Sequence, residues 1–161
     1  MGSKTTVRLA AFAVLMGLAA PAAALTPAEA EAVVTIMEQL TAEIGETMST
    51  DAAAIFYDYD SLDAALIPAH GFDRHGWVEA YDAVMAGYLA VIPEAEFMAT
   101  FHEPLALLEQ SELPEDQKAL MRAHMDGLIA EAQAVRAAGT AHADVVRPFE
   151  HRLHPLVYGE Q

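Results

Sequence analysis

Thr26 to Gly45 read TPAEAEAVVTIMEQLTAEIG, and this stretch decides the fold class. Thr26 followed three positions later by Glu29 has the form of a capping box, with Pro27 at the first helical position. Val33, Ile36, Met37, Leu40 and Ile44 then recur at three- and four-residue spacing, the period of one helical face. Gly45 is a suitable stop. The spacing predicts a helix over 27–45.

The same grammar repeats downstream. Ser49-Thr50-Asp51 offers a cap, and Ile55, Tyr59, Leu62 and Leu66 form a second helical stripe that ends at Pro68. A strand over 55–60 competes, because Tyr57 and Tyr59 alternate with Asp58 and Asp60. Residues 69–76 (AHGFDRHG) read as a loop, with Asp73 capping a helix over 74–91. Ile92-Pro93 marks a break. A helix over 93–111 follows, kinked at Pro104, where a backbone donor is missing. Glu115 and Asp116 open a helix over 114–138, with acids where the helix dipole favours them and Gly139 as its terminal cap. Met121, His124, Met125, Leu128, Ala132 and Val135 run down one side of it. Thr140 caps a last helix over 141–154, kinked or started at Pro148, and a loose tail is expected from Leu156. Five or six amphipathic helices with short connections imply an all-α protein, a single antiparallel helical bundle.

Upstream, Lys4 and Arg8 precede the apolar run Leu9–Ala20, and Ala22-Ala23-Ala24 supplies a small-residue cleavage pattern. Residues 1–24 therefore read as a secretory signal peptide, leaving 25–161 as one helical domain in the periplasm or secreted. The run is too short to span a bilayer, which takes about 20 apolar residues.

The chain has 161 residues, 24 acidic and 8 basic side chains, a net charge of −16 and no cysteine. Without cysteine there are no disulfides, thiolate metal sites or cysteine nucleophile. The charge argues against nucleic acid and anionic membranes as partners. Neither a phosphate-binding loop nor the nucleophile or zinc motifs of the common hydrolases are present, and an enzyme is the weaker expectation.

Seven histidines remain as nitrogen ligands. His102 and His124 lie nearly equidistant from a turn centred near residue 112 or 113, so an antiparallel pair of helices places them level. Met98 is one turn from His102, and Met121 and Met125 flank His124. His102, His124, Met98 and Met125 form a candidate site for copper or zinc, with thioethers favouring Cu(I). The competing account is ordinary core, where Met fills gaps. One His and one Met across two helices would also serve a haem. Glu150, His151 and His154 share a helical face, the alternative being a solvated helix end. His70, His75 and Asp73 crowd one loop, with turn chemistry as the plainer reading. Asp58, Asp60 and Asp63 start like a calcium loop but lack its glycine and its last acid, and so read as a solvated acidic face. Two functions follow: an exported accessory protein binding a transition metal through His and Met, or a metal-free interaction protein with an apolar face for a partner.

Overall fold

The computed structural model describes residues 24–45, 52–63 and 65–159. The signal-peptide segment, but for Ala24, and the Ser49–Asp51 cap lie outside the described residues. All regular structure among these residues is helical. No single helix among them is long and apolar enough to cross a membrane.

Helix α1 is Pro27–Ile44. Its capping box is complete: Glu29 N donates to Thr26 Oγ1, and Thr26 N donates to Glu29 Oε2 at 2.9 Å. Gly45 ends it at φ 76°, in the left-handed region that suits glycine. Its predicted stripe is buried from Val33 to Leu40.

The second helix departs from expectation in phase and length. Helix α2 is only Ala53–Asp60, and a separate short α3 covers Leu66–Ala69. The predicted stripe faces outward, with Ile55 68% and Leu62 84% exposed. Ala53 and Phe56 turn inward instead, and Phe56 packs on Tyr81 with ring centroids 6.0 Å apart. Asp60 explains the break. It is buried rather than solvated, and its two oxygens accept from Leu66 N and Ile67 N, each at 2.8 Å. A carboxylate that satisfies the free amides of the next helix stops its own helix from continuing.

Helix α4, Arg74–Val91, is the centre of the molecule. Asp73 caps it by accepting from Gly76 N at 2.7 Å. Trp77, Tyr81, Val84, Met85 and Tyr88 are buried against α1, α2 and the C-terminal helices. The Trp77 indole N–H donates to Ala53 O at 2.8 Å, so the largest core side chain leaves no polar atom unpaired. Helix α5, Glu94–Gln110, leaves α4 at 97°. Pro104 lies inside α5, which remains one helix.

Helix α6, Glu115–Gly139, returns along α5. Gly139 is its last helical residue, not a left-handed cap; Thr140 follows in right-handed geometry. The glycine is there for contact: a Cβ on it would sit 1.9 Å from the Ala86 carbonyl oxygen. The C-terminal stretch is divided into α7 (Ala143–Val146), a 3-10 turn (Arg147–Phe149) and α8 (Glu150–Tyr158). Pro148 sits in that turn, where the change of helix type accommodates it. The expected loose tail is ordered through Tyr158, because Leu153 and Leu156 bury against the core. Arg152 fastens α8 to α1 through both Glu38 oxygens, at 2.8 and 2.6 Å.

Candidate functional site

Sequence spacing pointed to the α5–α6 hairpin, and the interhelical contacts set its register. Arg122 Nη2 on α6 donates to Glu109 Oε2 on α5 at 2.9 Å, and Gln133 Nε2 reaches Met98 Sδ at 3.9 Å. Both pairs centre near 115 or 116, whereas Lys118 Nζ, which donates to Glu109 O, centres between 113 and 114, so these long side chains fix the register to within about one helical turn. In the connector Ser111 (ψ 154°) and Pro114 (ψ 147°) are extended.

His102 and His124 are exposed, while Met98 and Met125 are half-buried. Met98 packs against the core. Among the described residues no three His, Asp or Glu side chains converge as a metal site.

The other histidines are drawn in separate directions. The Nδ1 of His70 lies 3.0 Å from Leu66 O, and His75 Nε2 lies 3.3 Å from Glu79 Oε1, both pairs exposed. Asp73 serves the α4 cap. The loop thus offers no His–Asp pair. His151 is exposed, but His154 turns inward, its Nδ1 3.0 Å from the Tyr88 hydroxyl. Burial pushes the Tyr88 hydroxyl above its ordinary range. Glu96 Oε1 lies 3.3 Å from the same nitrogen and is buried without a hydrogen bond. This cluster joins α4, α5 and α8.

The hairpin has a feature that sequence reading of the histidines missed. Met121, Met125, Leu128, Ala132 and Val135 follow one another at alternating four- and three-residue steps, the a/d spacing of a helix seam. The seam is only half covered. Met125 and Ala132 are partly buried, whereas Met121, Leu128 and Val135, seven residues apart, remain 48%, 40% and 42% exposed. Leu120 and Leu107 are more exposed still. Yet the hairpin is held in place. Lys118 is buried and donates to Glu109 O at 3.0 Å, satisfying a free carbonyl at the end of α5. Beside it the Arg122 guanidinium holds the Glu109 carboxyl below the usual carboxylate range. At the base Arg136 donates to Leu89 O and stacks over Phe97, 5.4 Å from the ring centroid. The seven-residue line was present in the sequence; a heptad count along residues 121–135 finds it.

Comparison with known protein families, curated proteins and solved structures finds no match.

Proposed function

We propose that the protein is an exported, periplasmic or secreted, accessory protein whose antiparallel helical bundle presents the α5–α6 hairpin to a protein partner. The observation that carries this reading is the half-covered seam: a line of apolar side chains spaced for a third helix, on a hairpin closed at its tip and fastened to α4 at its base. An apolar line left open on a fixed scaffold is what helix-in-groove recognition uses. Charge selects the occupant. With a net charge of −16, two copies repel, and Glu103, Asp126 and Glu131 stand on the same two helices as the seam. The partner is therefore a basic amphipathic helix of another protein, not a second copy of this chain.

A photo-crosslinking residue at Leu120, Leu128 or Val135 tests this in the native host. One dominant heterologous adduct is expected, lost in Leu128→Glu and retained with Ile55→Glu on α2. Adducts only between copies, or none at all, overturn it. Transition-metal binding through His102, His124, Met98 and Met125 is the competing outcome. Calorimetry with Cu(I), Cu(II) and Zn(II) decides it: saturable binding that disappears in a His102→Ala/His124→Ala double variant would replace the partner reading.

A further inference from the structure

Two independent readings meet at the Ala24–Leu25 bond. By sequence it follows the basic residues Lys4 and Arg8, the apolar run 9–20 and the small residues Ala22 and Ala24, the pattern a signal peptidase cuts. By structure it divides an exposed residue from a buried one. Ala24 is exposed, whereas Leu25 is 7% exposed and belongs to the hydrophobic core.

The next residue is held as well. Thr26 N and Oγ1 both donate to Glu29 Oε2, at 2.9 and 2.7 Å. The Thr26 hydroxyl oxygen accepts from Glu29 N at 3.2 Å, and the Thr26 carbonyl accepts from Ala30 N at 3.0 Å. Every polar group of Thr26 is therefore taken by the first turn of α1. An endopeptidase grips several residues on each side of the scissile bond as an extended strand, through backbone groups and side-chain pockets. In the folded chain the Leu25 side chain lies in the core and the Thr26 backbone groups bond within α1, so neither is free to enter such a groove. Cleavage then waits on local opening at the start of α1, and its rate follows the population of that open form.

We propose that Ala24–Leu25 is a processing site available only before folding: the peptidase cuts the unfolded chain, and in an uncut chain the packing of Leu25 and closure of the Thr26–Glu29 box withdraw the bond. This rests on the reading of the protein as exported and not on the seam. Water adds across the amide, leaving a carboxylate on Ala24 and an ammonium group on Leu25. The chain therefore reaches the peptidase before α1 docks.

The test uses the full 161-residue chain, purified uncut and incubated with a signal peptidase in detergent micelles, its products weighed by mass spectrometry. The unfolded reference is the full-length Met37→Asp/Val84→Asp variant, which places two charges at fully buried positions and loses the helical circular-dichroism spectrum. One product beginning at Leu25 is expected, formed at least about tenfold more slowly from the folded chain than from the unfolded one. Leu25→Ser, with the helical spectrum retained, narrows that gap to under about threefold, and Glu29→Gln narrows it less. Each is compared with the same substitution in the unfolded background, so that the sequence preference of the peptidase cancels. Equal rates from the folded and unfolded chains overturn the proposal alone, as does a gap that Leu25→Ser leaves unchanged. A product beginning at Ala23, from a cut after Ala20-Pro21-Ala22, also overturns it. An unfolded chain that is not cut at all overturns the exported reading, and the proposal with it.

Discussion

Helices α4 and α6 are both amphipathic, and they spend their apolar faces differently. Over 18 residues α4 buries Trp77, Ala80, Tyr81, Val84, Met85, Gly87, Tyr88 and Leu89. Over 25 residues α6 fully buries only Lys118 and Gly139. The first is the axis around which the chain folds; the second is anchored at its ends and open along its middle. Amphipathicity states that a face wants a partner but not that the partner belongs to the same chain. The largest test of this contrast is Trp77→Ala. It removes the biggest buried side chain together with its hydrogen bond to Ala53 O, so a loss of about 3–5 kcal/mol is expected in chemical denaturation.

Two glycines on α6 sharpen the contrast within one helix. A Cβ at Gly139 would collide with the Ala86 backbone, whereas at Gly127 nothing lies within 4 Å. Gly139→Ala is expected to destabilise by about 1–3 kcal/mol, because neither backbone can give way easily. Gly127→Ala is expected to stabilise by about 0.5–1 kcal/mol, through helix propensity alone. Thermal melts of the two variants should therefore shift in opposite directions. Two shifts of the same sign would mean that α6 does not cross α4 at residue 139.

Much of the fold was legible because local chemistry settled it. The Thr26–Glu29 box, the Asp73 cap and the Ile92-Pro93 break lie where the spacing put them. The errors came where a distant contact outweighed the local pattern. In α2 the stripe through Ile55 and Leu62 lost to Phe56, which meets Tyr81 across the core. No local signal shows that Asp60 caps a helix six residues on. Gly139 carried the composition of a terminal cap, but its function is set by Ala86 on another helix. A groove between α1, α4 and the end of α6 was not read at all, since alanines on three helices have no common sequence spacing.

The clasp between α1 and α8 is a smaller test. The Arg152 guanidinium holds the Glu38 carboxyl below its ordinary range. A depressed carboxylate contributes stability above its unfolded value and loses it as pH falls through the folded one. Both side chains are partly solvated, so the effect is under about 1 kcal/mol. Glu38→Gln should flatten the stability profile on the acid side of the carboxylate range and leave the alkaline side parallel to the parent. An unchanged acid limb means that the clasp contributes nothing.

The smallest expected effect is the most informative about the seam. Leu40 on α1 and Leu128 on α6 are the same residue in similar amphipathic patterns, one 1% exposed and the other 40%. Leu40→Ala should cost about 2–5 kcal/mol, since the cavity it leaves lies inside the core. Leu128→Glu should change stability by no more than about 0.5 kcal/mol, because water already reaches that side chain. The new carboxylate would nevertheless place a charge in the middle of the open seam, against the apolar face of the amphipathic partner helix, where it is left unpaired. Stability held with crosslinking lost is the signature of a face kept for another molecule. A Leu128→Glu protein that unfolds like Leu40→Ala would show that the seam is closed within this chain, and the contrast between α4 and α6 would disappear.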